Sequence, residues 1–189
     1  MKIKKTKLDG VKIIVPIPNK DNRGFYQRLF CKKVFKSKNL NNSIVQINNS
    51  FNKKKGTTRG LHYQSDSSAE CKILRCVRGS LVNIVVDVRK NSKTYLKSIK
   101  IKLTAKNRHM SYIPPGFANG LQTLEDNTEL VYSTTNFYNP KKEKGLSVLD
   151  PKLKIKLPLP IKFISKKDKS WDLLTWELLT NKKNRKDRT

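Results

Sequence analysis

Residues 72–88 read Lys72-Ile73-Leu74-Arg75-Cys76-Val77-Arg78-Gly79-Ser80-Leu81-Val82-Asn83-Ile84-Val85-Val86-Asp87-Val88. The first seven form a strand pattern that stops at Gly79-Ser80, and residues 81–88 form a second, strongly β-branched one. Working outward, residues 95–103 alternate, with Tyr95, Ile99, Ile101 and Leu103 on one face. Ser111-Tyr112-Ile113 ends at the turn signal Pro114-Pro115-Gly116. Residues 129–138 predict a further long strand. Its period of two sets Leu130, Tyr132, Thr134, Asn136 and Tyr138 on one face, against Val131, Ser133, Thr135 and Phe137. The first set is the more polar and suits the lining of a wet cavity. Many short strands at regular spacing predict a mainly β fold, a jelly-roll barrel.

The C-terminal part changes character. Ser165-Lys166-Lys167-Asp168 predicts a helix start, with Ser165 as N-cap and Asp168 three residues on. Trp171, Leu174 and Leu178 then fall on one side of a helix over 171–179. The expected organisation is one domain over 1–180 and a basic tail over 181–189.

The chain has 189 residues, 42 of them Lys or Arg and 14 Asp or Glu, for a net charge of +28. Nucleic acid is one partner such a surface suits. The charge is spread along the chain, however, and no segment carries a nucleic-acid-binding signature. Lys- and Asn-favouring codons of an AT-rich genome account for it more simply. Met1-Lys2-Ile3-Lys4-Lys5 is not followed by a signal-type apolar stretch, and no run is apolar enough to span a bilayer. With three cysteines, an odd number, the expectation is a cytoplasmic protein with reduced thiols and no membrane partner. Cys71 and Cys76 fall on opposite faces of a strand and make a poor metal pair. Histidine occurs only at His62 and His109, too few for a multi-histidine metal set, so no metal or other cofactor is expected.

The motifs run in a recognisable order. Residues 10–16 and Asp21-Asn22-Arg23-Gly24-Phe25 come first. Gln46-Ile47-Asn48-Asn49-Ser50 and Arg59-Gly60-Leu61-His62-Tyr63-Gln64 follow. Next are Lys72 with Val77-Arg78-Gly79, Val85-Val86-Asp87-Val88-Arg89, Pro115-Gly116-Phe117-Ala118 and Gln122-Thr123-Leu124. Tyr138-Asn139-Pro140, Glu143-Lys144-Gly145, Asp150-Pro151 and Ser165-Lys166-Lys167-Asp168 close the series. Over nearly its whole length the chain resembles the dTDP-4-dehydrorhamnose 3,5-epimerase family.

That resemblance implies a cupin-type barrel inverting C3 and C5 of a nucleotide-linked 4-keto-6-deoxy sugar through an enolate, without a cofactor. By similarity His62 is the general base, since a neutral imidazole is available near pH 7. Asp168 would be its partner, unless it serves only to cap the helix; Asp150 is the second choice. Lys72 would stand at the developing oxyanion, where one placed donor is worth roughly 3–4 kcal/mol. Tyr132 would return the proton from the opposite face. Arg23 and Arg59 would meet the diphosphate, Tyr138 would stack on the base, and Gln46, Asn48, Glu143 and Lys167 would lie near the ligand. A homodimer is implied, with a strand exchanged and Arg23 reaching the neighbour's site.

Three positions depart from the family pattern. Asn119 stands where the family has a second imidazole; it can hydrogen-bond a sugar but cannot carry a proton. Arg28 replaces a usual Glu, and Val148-Leu149 precede Asp150-Pro151 in place of Trp-Asn. These leave room for a relative that inverts one centre or takes another sugar. The rival of a different class is a basic nucleic-acid-binding β-barrel.

Overall fold

The computed structural model describes residues 1–174. Its strands are β1 (Lys2–Lys5), β2 (Lys12–Val15), β3 (Asn19–Asp21), β4 (Gly24–Tyr26), β5 (Gln46–Asn52), β6 (Thr58–Gln64), β7 (Lys72–Arg78), β8 (Ser80–Asp87), β9 (Ser98–Thr104), β10 (Met110–Ile113), β11 (Phe117–Thr123), β12 (Thr128–Thr134) and β13 (Glu143–Gly145). Two short helices, α1 (Lys32–Ser37) and α2 (Lys166–Lys169), flank them. One sheet has the order β1-β2-β10-β7-β12-β5 and the other β13-β6-β11-β8-β9; β3 and β4 form a separate hairpin. These strands pair antiparallel throughout, which gives a jelly-roll barrel.

Burial explains the sequence pattern. Between the sheets Leu74, Cys76, Leu81, Val85, Leu103 and Leu130 form one apolar cluster. Val82, Ile84 and Val86 leave the other face of β8 and meet Leu146, Val148 and Leu153 of the C-terminal segment. Both faces of β8 are therefore covered, all eight of its residues are buried, and its sequence shows a continuous β-branched run instead of alternation. A third cluster puts Phe35 of α1 against Cys71, Ile73 and Met110 on the outer face of the six-stranded sheet.

Local constraints set two strand ends apart from expectation. Tyr95 lies in a turn, because the buried Asp87 carboxylate accepts from the Ser92 and Thr94 hydroxyls at 2.6 Å each and curls that segment. The β12 ladder ends at Thr134, so Asn136 and Tyr138 belong to the following loop. The C-terminal helix is a single turn. Ser165 caps it as expected, but residues 171–174 are not helical. Leu174 N–H donates instead to Asp150 Oδ2 at 2.6 Å, and the Trp171 ring lies against Gly145, leaving no room there for a Cβ. Residues 175–179 of the expected helix and the basic tail fall outside the described residues.

Between β6 and β11 the register shifts at Gly120. A Cβ on Gly120 would stand 2.5 Å from the Arg59 carbonyl oxygen, so the two backbones meet more closely than any side chain permits. This approach sets His62 directly opposite Asn119.

All three cysteines are free. Burial pushes the Cys71 thiol up to about 12 and the Cys76 thiol up to about 11, whereas Cys31 is only half-buried. Thiol labelling of the native protein at pH 8 is therefore expected to modify one cysteine, Cys31, and labelling in denaturant all three. Fast native labelling of a second would contradict the burial of the two sheet cysteines.

Candidate active site

Strand β6 delivers His62 to the mouth of the barrel. The imidazole is 29% exposed, and its Nε2 lies 2.5 Å from Asp168 Oδ1. Asp168 comes from α2, where its own N–H donates to Ser165 Oγ at 3.0 Å. Both contacts are present at once: the Asp168 backbone closes the cap while its carboxylate turns to His62. Burial alone raises this carboxyl, but the hydrogen bond and charge of His62, with the Gly60 N–H, hold it below the usual carboxylate range. Asp150 stands elsewhere, its carboxylate taken by the N–H groups of Lys152 and Leu174.

Two adjoining cavities, of about 280 and 400 Å³, share His62, Lys72 and Tyr132. The first also takes in Arg59, Asn119, Lys167 and Asp168. The second opens toward Gln46, Asn48, Tyr138 and Glu143. A larger cleft of about 850 Å³ lies behind Asp168 and Arg59, lined largely by the 161–165 segment, and contains none of the three shared residues. Tyr132 reaches the cavities from the inward face of β12, as the alternation predicts, and Lys72 from the start of β7. Tyr138 arrives by the loop after β12. The Tyr132 phenol lies above its usual value, first through burial and then through the charge of Glu70, with Arg59 opposing.

Glu143 is the hub of the second cavity. Its Oε2 accepts from the Tyr138 hydroxyl at 2.6 Å and from Lys167 Nζ at 2.5 Å, and its Oε1 lies 3.8 Å from His62 Nδ1. Burial raises the Glu143 carboxyl, but Lys167, Tyr138 and His62 together bring it below the ordinary range. Gln46 Oε1 accepts the Tyr138 backbone N–H at 2.8 Å and so places that ring.

The twelve site residues read from the sequence thus converge on the cavities, with the exception of Arg23. That side chain, 85% exposed, stands on the β3–β4 hairpin and pairs with Asp21 at 2.6 Å. Further residues at the site lie outside the family motifs. Asn52 Oδ1 accepts from Arg59 Nε at 2.7 Å. Trp171 sets its ring edge-on to His62, centroids 6.0 Å apart. Glu70 pairs with Lys72 at 3.1 Å; the Glu-x-Lys spacing at the head of a strand was the signal for it. Among the described residues no group of three or more His, Cys, Asp or Glu is arranged to hold a metal, and no helix is long and apolar enough to cross a membrane.

An imidazole, an ammonium and a phenol facing one cavity in a jelly-roll barrel define a class: a barrel enzyme equipped for proton transfer. The family model described as dTDP-4-dehydrorhamnose 3,5-epimerase matches residues 5–175, and the chain belongs to that family of isomerases. It is 38% identical over 169 residues to the dTDP-4-dehydrorhamnose 3,5-epimerase of Shigella flexneri, covering 89% of this chain and 93% of the relative. The crystal structure of the Legionella pneumophila dTDP-6-deoxy-D-glucose-3,5-epimerase, in complex with dTDP-4-keto-L-rhamnose, superposes with a TM-score of 0.86. Identity there is 33%, over 94% of this chain and 96% of that one. A 3'-monoepimerase from Streptomyces bikiniensis, in complex with dTDP-quinovose, gives 0.84 at 27% identity, over 90% and 86%.

The hydrogen bond to Glu143 is the first cause, ahead of burial, that raises the Tyr138 phenol. In Glu143→Gln the Tyr138 ring is expected to ionise at lower pH, followed by NMR of ring-labelled tyrosine. An unmoved titration would show that the carboxylate does not reach the phenol.

Proposed function

We propose that this chain inverts C3 and C5 of a dTDP-linked 4-keto-6-deoxy sugar by way of an enolate, using its own side chains as base, acid and oxyanion support. The observation that carries the proposal is the His62–Asp168 pair at 2.5 Å, facing the cavity shared with Tyr132 and Lys72. The 4-keto group acidifies the protons on C3 and C5. With Nε2–H donated to Asp168, the imidazole keeps its lone pair on Nδ1, and that atom takes the proton. The buried carboxylate then stabilises the imidazolium. Lys72 Nζ faces the carbonyl oxygen as it gains charge. The Tyr132 hydroxyl, kept protonated by its burial, delivers a proton to the carbon from the other side. Removal on one face and return on the other is inversion. Each inversion moves only protons and involves no net redox change.

The second cavity fits the nucleotide end. Tyr138 offers its ring to the base, with Gln46, Asn48 and Glu143 beside it and Lys167 reaching Glu143 from the first cavity; Arg59, in the first cavity, meets the diphosphate with a planar guanidinium. Asn119, opposite His62 on β11, hydrogen-bonds the sugar. Arg23 completes the site from a second copy of the chain, in a homodimer that exchanges the β3–β4 hairpin, whose Phe25 and Tyr26 are 51% and 64% exposed. The setting is the cytoplasm.

Two variants test the division of labour on dTDP-4-keto-6-deoxyglucose. His62→Ala is expected to lower turnover by about 10³-fold or more with dTDP binding nearly intact. Tyr132→Phe is expected to slow product formation more than wash-out of the first carbon-bound proton. Persistent turnover without His62, or equal loss of both rates without the Tyr132 hydroxyl, would contradict the assigned roles.

A further inference from the structure

The lead-in to β7 carries a carboxylate that the scheme above leaves idle. Glu70 lies two residues before Lys72, and on an extended backbone side chains two apart share a side. The intervening Cys71 is fully buried in the cluster around Phe35 and Ile73, on the outer face of the sheet. Its backbone is tied to Thr135 on both polar groups. The Cys71 N–H donates to Thr135 Oγ1 at 2.9 Å, and the Cys71 carbonyl accepts from Thr135 N–H at 3.1 Å. Glu70 is thereby fixed facing the nucleotide-side cavity. Its side chain is 6% exposed, that of Lys72 18%, and Oε1 to Nζ is 3.1 Å. Among the described residues Lys72 is its one ion-pair partner.

A buried carboxylate is out of place in a site that takes a nucleoside diphosphate. It repels that ligand, and its desolvation is costly unless a cation answers it. Its use lies in the cation. A lysine ammonium is a compact charge on a flexible stem, and the strongest anion within its reach would be the diphosphate. Of its three N–H donors, one spent on Glu70 leaves two for an oxygen of the sugar.

We infer that Glu70 is a positioning residue that fixes the Lys72 ammonium where the two cavities meet, so that it stays beside the enolate oxygen and is not drawn onto the diphosphate. This deepens the reaction proposed above and rests on it. The same carboxylate adds to the charge around Tyr132, whose hydroxyl it helps to keep protonated.

Glu70→Gln removes the charge at nearly constant volume. On the full chain, kcat for dTDP-4-keto-6-deoxyglucose is expected to fall about 10- to 100-fold, while KM stays level or falls. Affinity for dTDP is expected to tighten by about 3- to 10-fold, because a repelling charge is gone and Lys72 is released to the diphosphate. In Glu70→Gln/Lys72→Met, kcat is expected to match that of Lys72→Met alone, and the gain in dTDP affinity from Glu70→Gln to be smaller than in the parent, since only the repelling charge is then removed. A merely structural glutamate would instead raise KM, weaken dTDP and give additive losses. Glu70→Asp, which keeps the charge on a shorter stem, should fall between parent and Gln in kcat with dTDP affinity unchanged, and it serves if Glu70→Gln folds poorly. Unchanged kcat in Glu70→Gln, additive losses, or dTDP affinity that does not tighten would overturn the inference. If the parent itself fails to turn over the sugar, the proposed reaction is wrong; the dTDP affinities of Glu70→Gln, Lys72→Met and the double variant still decide whether Glu70 restrains Lys72.

Discussion

The site hangs on one contact, between His62 and Asp168, residues 106 apart in the chain. The Asp168 carboxylate is 5% exposed, and a charge so buried is tolerated only with its partners in place. Everything that brings α2 to β6 serves that pairing. Thr58 N–H donates to the Phe163 carbonyl at 2.8 Å and lays the 161–165 segment along β6. Ser165 then caps α2 and aims the carboxylate. Gly60 adds a backbone donor, and Trp171, seated on Gly145, closes the outer side. The barrel supplies the opposing wall, since the close meeting of Gly60 and Gly120 sets the register that puts Asn119 across from His62.

The charge around the cavity is ordered although the chain as a whole is strongly basic. Only 14 acidic residues occur in the chain, against 42 basic ones, yet Glu70, Glu143 and Asp168 all lie at this site. Each has a cation or titratable partner within hydrogen-bond reach: Lys72, Lys167 and His62 respectively. A pocket built only to attract a phosphate would dispense with them. Carboxylates placed against particular cations hold those cations in position, which catalysis by oriented charge requires more than it requires net attraction.

Much of this was legible in the sequence, and the failures have physical causes. Strand β7 was read to the residue because Gly79 interrupts a uniform pattern. Alternation of side chains continues past Thr134, but the regular pairing of β12 with β5 and β7 ends there, so Tyr138 keeps its place in the cavity by a loop. The helix over 171–179 gave way at its start because Leu174 bonds to Asp150, a contact across 24 residues that no local period records. The dual role of Asp168 was also beyond a local reading, since capping is visible in four residues and the pairing with His62 is not. The spacing of Glu70 to Lys72 alone does not mark a site, because one acid beside one base on a charged chain is usually a solvated surface pair; only burial sets it apart. Arg23 is the converse case, a residue drawn from the family pattern that the single chain leaves outside the cavity.

In the proposed reaction carbon-bound protons leave and return on opposite faces of a keto sugar. The direct measurement is NMR of dTDP-4-keto-6-deoxyglucose incubated with the unmodified protein in D2O, following deuterium at each ring carbon. Incorporation at both C3 and C5, with inversion, is the predicted result. Incorporation at neither carbon, with the substrate bound, would contradict the central claim; incorporation at one alone would limit it to a single centre, with Asn119 the position to examine.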